Sequence, residues 1–229
     1  MTSQNRIAWT EIAYDACGER MRVEIRSSWA IALLARGPSV PVTWLLARAG
    51  VAPMTVTLAG LALALSMPAQ ALLLPLSIAV WGVALSGWLF QVLDCVDGSL
   101  ARLNRVTTRR GGDMDFLVDM AQWGLLYLSI GVLADRTLDM AWLWTAVAGI
   151  AAWGRLLARV IRDRLDDADP APLIPLRAAD VPVAFLAGIS GLIPFAALTG
   201  GWLGVAVIAL LIYSLLDIVE AALPLTRGP

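Results

Sequence analysis

The chain contains no histidine, and because all seventeen of its basic residues are arginine it has no lysine either. Without histidine there is no Ser-His-Asp triad, no Cys-His pair and no His-ligated zinc site. Without lysine there is no Schiff-base chemistry. Cysteine is nearly absent: Cys17 and Cys95 lie far apart and form no C-x-x-C, so no disulfide framework is expected. Charge of either sign is scarce, at 15% of residues against 59% hydrophobic, which lies outside ordinary soluble composition. The formal net charge of −1 gives no pointer to nucleic acid as a partner. Residues 1–27 mix acids and arginines without a long apolar core, so no cleavable signal peptide is expected. Any group transfer by this protein must run on carboxylates, hydroxyls, arginines and bound metal.

What fills the chain instead is a series of apolar runs of membrane-spanning length. Six spans are predicted, at 51–67, 70–93, 115–134, 140–161, 181–199 and 202–220. The expected fold is therefore an all-α integral membrane protein, with a juxtamembrane segment over 1–50, a six-helix domain over 51–222 and a short tail over 223–229. Short connections are expected at 67–70 (MPAQ), 134–139 (ADRTLD) and 198–201 (LTGG), and longer ones at 102–114 and 162–180. Sixteen arginines lie before or at the first span, in the long connections, near them or in the tail, and only Arg136 falls on the other side. That asymmetry predicts cytoplasmic termini and long connections, with a bacterial-type inner membrane as the setting. Trp142, Trp144 and Trp202 then fall where an outer aromatic belt is expected. Within 20–50, Gly37–Pro38 divides arginine-bearing apolar sequence into halves too short to span. These read as amphipathic helices on the cytoplasmic surface, with Trp29 and Trp44 at headgroup level, or as a segment packed on the protein itself.

The chemistry concentrates in DCVDGSLARLNRVTTRRGGDMDFLVD, residues 94–119. Asp94, Asp97, Gly98 and Ala101 are spaced i, i+3, i+4, i+7 and share one helical face; Asp115 and Asp119, at i and i+4, share a face of the next span. The connection is short enough to make the two spans antiparallel neighbours, so the four carboxylates converge at one membrane face. Four acids packed together repel, and the ordinary remedies are protonation or bound cations. Oxygen-only ligands favour magnesium, manganese or calcium, and two ions shared by four carboxylates suit displacement at phosphorus. Gly98 and Ala101 leave a bare helix surface for a flat ligand, Arg102 offers a fork for phosphate oxygens, and Gly111 with Gly112 lets the chain turn into the third span. Arg105, Arg109, Arg110 and Asp113 read as solvated charge at a helix end.

These residues match, without a gap, the motif D-x-x-D-G-x-x-A-R-(x8)-G-x-x-x-D-x-x-x-D of the CDP-alcohol phosphotransferases. The chain resembles that family also in its six expected spans and N-terminal surface helix. VAPMTVTLAG at 51–60 looks like the family's P-N-x-x-T opening of the first span: Pro53 and Thr57 match, while Met54 stands where asparagine is usual. The resemblance implies transfer of a substituted phosphoryl group, phosphatidyl in many members, from a CDP-linked lipid donor to an alcohol, with release of CMP, as in phospholipid biosynthesis. It implies two Mg2+ or Mn2+ ions held by Asp94, Asp97, Asp115 and Asp119, with Asp119 as the base that deprotonates the attacking hydroxyl. It places cytidine against Gly98 and Ala101, helped by Thr57, the diphosphate at Arg102, and Gly111 in the nucleotide site. It implies a homodimer.

The acceptor is less legible. Arg155 and Arg159, with Arg162 a turn further on, line one face of the fourth span, and two readings stand. They bind a phosphorylated acceptor such as glycerol phosphate or inositol phosphate, or they snorkel to the headgroups. Asp217 and Glu220 either border an acceptor site or are acids near water at a helix end. Two other classes explain part of the pattern: a cation transporter using the carboxylates as an ion site, and a metal-dependent prenyltransferase. The first gives no role to Gly98, Ala101, Arg102 and Gly111; the second usually separates its acidic motifs by more than the 18 residues between Asp97 and Asp115.

Overall fold

In a computed structural model, which describes residues 8–18, 28–165 and 188–226 together with Met21, Ile25 and Phe185, the described chain is helical and contains no strand. Seven helices carry it: α1 (Trp9–Cys17), α2 (Trp29–Arg48), α3 (Pro53–Leu73), α4 (Leu76–Leu103), α5 (Arg109–Leu138), α6 (Leu143–Leu165) and α7 (Leu203–Thr226), with a 3-10 helix at Ile189–Leu198. Six of these are long and apolar enough to cross a membrane. Their outward faces are apolar: Leu58, Leu65 and Leu72 recur every seven residues along α3, all exposed, and Ile78, Trp81, Leu85 and Leu89 form a similar stripe on α4. Alanines are among the buried positions of the same helices, including Ala64, Ala71, Ala79 and Ala84. Large apolar side chains outside and small ones inside is the pattern of helices solvated by lipid and packed through small residues. This is an all-α membrane protein.

The set of six differs from the expected one. Trp29–Arg48 is one continuous twenty-residue helix, not two short halves divided at Gly37–Pro38. The chain passes the prolines by widening into a π-helical stretch at Ala32–Arg36. The carbonyl of Leu34, four residues before Pro38 and so denied its helical amide, accepts instead from the indole N–H of Trp88 at 3.0 Å. The expected span at 181–199 falls partly outside the described residues; its described portion is the ten-residue 3-10 helix with Pro194 inside. The charged, proline-rich stretch at 166–180 and the arginines at 20, 22 and 26 also lie outside them.

The chain divides into two compact units. The first comprises Met1–Leu63, Trp88–Asp119 and Arg177–Leu192. Its core joins Ala35, Val56, Val92, Val96 and Leu100, with Ile31, Leu46 and Trp88 packed around it. A smaller cluster seats α1: Ile12 is wholly buried beside Val40, flanked by Ala13, Trp44 and Leu103.

The second unit comprises Ala64–Gly87, Met120–Leu176 and Ile193–Pro229. Here two expected connections turn out to be helix. MPAQ continues α3, with Gln70 donating to Ser66 and Ser86 at 2.8 and 2.9 Å, and the break comes later, at Leu74–Pro75. Pro75 supplies the carbonyl that opens α4, accepting from the amides of Ile78 and Ala79 at 2.9 Å each. ADRTLD lies mostly inside α5, and its charges finish other helices. Asp135, buried, accepts from the amides of Trp144 and Thr145 and from the Thr145 hydroxyl at 2.8, 2.9 and 2.7 Å, which satisfies the orphan donors at the start of α6. Arg136 donates to the carbonyls of Ala71 and Leu74 at the end of α3. Gly131 allows α5 and α6 to touch, since a Cβ there would lie 2.7 Å from both Ala148 Cβ and Thr145 Cα.

Candidate metal and anion site

The site lies wholly within the first unit. Buried Val92, Cys95, Val96 and Leu100 point one face of α4 into the core, and this turns Asp94, Asp97, Gly98 and Ala101 toward α5. On α5, Val118 is buried between Asp115 and Asp119. The outcome is convergence: one carboxylate oxygen from each of Asp94, Asp97 and Asp115 lies within 4.8 Å of the other two. Ligands on opposite sides of one hard ion at about 2.1–2.5 Å are separated by about that much, so the trio fits a single Mg2+, Mn2+ or Ca2+. Asp119 is not part of the trio, although its charge acts on Asp94.

Asp97 is the most enclosed of the trio, at 7% exposed. Its Oδ2 accepts from the Thr57 hydroxyl at 2.6 Å, and the same hydroxyl lies 3.3 Å from the carbonyl of Pro53. Thr57 therefore orients a prospective ligand, a role the sequence did not suggest. Removing this hydroxyl in Thr57→Val is expected to weaken Mg2+ affinity by about tenfold, the low end for partners of metal ligands. Isothermal titration of the full-length protein with Mg2+ checks it, and an unchanged affinity contradicts it.

A cleft of about 360 Å³ opens onto the acids. Of the expected site residues, Thr57, Asp97, Gly98, Ala101, Arg102, Gly111 and Asp115 line it, together with Pro53, Met54 and residues 106–108. Asp94 lines a small adjoining recess with Asp97, Asp115 and Phe90. The connection into α5 differs from expectation. Gly111 and Gly112 do not form the turn; they lie in the first turn of α5, whose N-terminus is capped by the Thr108 hydroxyl accepting from the Gly111 amide at 3.1 Å. The reversal falls earlier, over 104–108, with Arg105 in the left-handed region at φ 56°. A Cβ at position 111 would come within 3.2 Å of that capping hydroxyl. Arg105, Arg109, Arg110 and Asp113 are exposed, as expected of solvated charges.

Arg102 is not a free fork. Its Nε and Nη2 donate to the two carboxylate oxygens of Asp15 at 3.0 and 2.8 Å, and Nη2 also donates to Ser99 Oγ at 3.1 Å. A second residue missed in the sequence is Arg36, which is buried on the π-helical stretch and whose charge acts on Asp94. Its signal in the sequence is a lone arginine within an apolar run, which composition reads only as one more basic residue.

Arg155 and Arg159 belong to the second unit, on α6. Arg155 donates to Asp217 at 2.5 Å, and its guanidinium lies 5.1 and 5.3 Å from the ring centroids of Trp123 and Tyr213. Arg162 donates to both Asp217 and Glu220. Asp217 is thus not an acid near water: at 9% side-chain exposure it bridges two arginines. Burial demands such pairing, because an isolated charge between apolar helices is costly. Arg159 is exposed.

No protein-family model matches this chain, and no curated protein sequence matches it.

Proposed function

We propose that the protein is a membrane enzyme of the CDP-alcohol phosphotransferase type, transferring a substituted phosphoryl group from a CDP-linked donor to an alcohol and releasing CMP. The observation that carries this reading is the meeting of the Asp94, Asp97 and Asp115 oxygens at a cleft also lined by Gly98, Ala101 and Arg102. The donor set, oxygen only and anionic, suits Mg2+ or Mn2+. Such an ion, when bound, neutralises phosphate charge and makes CMP a better leaving group.

The chain's own residues have separate tasks in this reading. Asp94, Asp97 and Asp115 hold the metal, with Thr57 fixing the orientation of Asp97. Gly98 and Ala101 present a helix surface without bulk, against which cytidine lies. Arg102 donates to the diphosphate. Asp119, one turn beyond Asp115 and outside the trio, takes the proton from the acceptor hydroxyl, which a carboxylate can do in a chain without histidine. The arginines at the cleft end of α4 and α5 (Arg102, Arg105, Arg109 and Arg110), against Arg136 alone at the far end of α5, favour a cleft facing the cytoplasm.

The test is product release. Purified full-length protein with Mg2+ or Mn2+ and CDP-diacylglycerol is expected to release CMP when supplied with the right alcohol. A panel of glycerol 3-phosphate, inositol phosphate and unphosphorylated alcohols identifies it. Absence of CMP with every donor and acceptor, from protein that binds divalent metal, contradicts an enzymatic role and favours an ion site.

A further inference from the structure

The first unit contains one ion pair at the cleft that this reading leaves without a purpose. Asp15 lies on α1, one turn after the wholly buried Ile12 and on the same face. That face packs beside Leu103, the neighbour of Arg102. The carboxylate grips the guanidinium edge-on, taking Nε and Nη2, while Ser99 takes a further contact at Nη2. A guanidinium has five N–H groups, and these contacts occupy the three on Nε and Nη2. The two on Nη1 are left, and Nη1 lies 3.0 Å from where a Cβ on Gly98 would be. Gly98 and Arg102 both line the cleft. The pair is partly exposed, at 25% for Arg102 and 20% for Asp15, and such pairs add little to stability. Its geometry is more informative than its energy.

We infer that Asp15 is a positioning residue: it clamps one edge of Arg102 so that Nη1 is presented over Gly98 to the diphosphate of a nucleotide in the cleft. The inference rests on the proposed function for the identity of the ligand. It also makes the N-terminal helix a part of the binding site, supplied from eighty-seven residues away in sequence. A long arginine side chain loses rotamer freedom when it grips a ligand; here that freedom is already lost before the ligand arrives. The opposite role, a latch that competes with phosphate for Arg102, has the opposite sign, because removing a latch tightens binding.

The experiment is a double-mutant cycle on binding, using full-length protein in detergent and CDP with Mg2+ as the probe. Dissociation constants are measured by calorimetry for wild type, Asp15→Asn, Arg102→Ala and the double variant, with Asp15→Glu as the conservative control and thermal melting to confirm folding. Asp15→Asn is expected to weaken CDP binding by roughly two- to tenfold, the cost of ordering one such side chain. Asp15→Glu recovers part of that loss, and Asp15→Asn adds nothing once Arg102 is alanine. Unchanged or tighter binding in Asp15→Asn overturns the inference, as does a loss that adds in full to that of Arg102→Ala. Should Asp15→Asn not fold, the same criteria apply to Asp15→Ser, where binding equal to wild type overturns it. Wild-type protein that binds Mg2+ but no CDP overturns the nucleotide reading beneath it, and the inference with it.

Discussion

Asp119→Asn is expected to lower the rate of CMP release by about a hundredfold or more while CDP and Mg2+ still bind, the usual range for losing a general base. The substitution keeps size and shape and removes only the ability to take a proton. Asp119 is suited to separate treatment because it stands apart from the three converging carboxylates, half-buried, one helical turn after Asp115. A loss confined to kcat, with KM for the donor little changed, is the pattern of an interaction made only in the transition state. Normal turnover in this variant removes Asp119 from the mechanism. Loss of Mg2+ binding along with rate makes it a ligand instead, and the ion-binding set then extends beyond the trio.

The second large effect concerns the trio and has two signs. Asp94→Asn is expected to weaken Mg2+ binding by more than about a hundredfold, since even partners one shell removed from a metal cost ten- to hundredfold when lost. Without metal the same variant is expected to melt higher than wild type, because one of several mutually repelling acids has gone: Asp97, Asp115 and Asp119 all act on Asp94. Melting curves with and without Mg2+, for both proteins, read both effects at once, since a ligand that binds only the folded state raises its melting temperature. A variant that keeps the full Mg2+-dependent rise contradicts the assignment of Asp94 as a ligand. One that is destabilised without metal shows that Asp94 is held by hydrogen bonding and not strained by repulsion.

The centres of most spans were legible in the sequence, because twenty consecutive apolar residues have few other uses. Their ends were not. ADRTLD reads as a loop by composition, yet Asp135 and Arg136 remain helical since each has a helix terminus to complete, the start of α6 and the end of α3. Gly111 and Gly112 read as a turn because glycine is a poor helix former; the cap supplied by Thr108 begins the helix ahead of them. Gly37–Pro38 reads as a break, and only the distant Trp88 indole reveals how the backbone runs through it.

The site divides along the same line. Its carboxylates were found because local periodicity alone places them: i, i+3 on one helix and i, i+4 on the next. Asp15, Arg36 and the Thr57–Asp97 bond were missed because each depends on a contact across 40 or more residues that no spacing rule encodes. Arg155 and Asp217 are each legible as a charge near a span end, and nothing in the sequence pairs them across 62 positions.

The order of synthesis adds one consequence of this layout. Every side chain placed at the site, from Asp15 through Thr57 to Asp119, precedes α6 and α7 in the chain. The whole acidic centre, carried on the hairpin of α4 and α5, is therefore translated before α6 and α7 exist. The costly charges thus reach the bilayer as a group, with Arg36 among the segments made ahead of them.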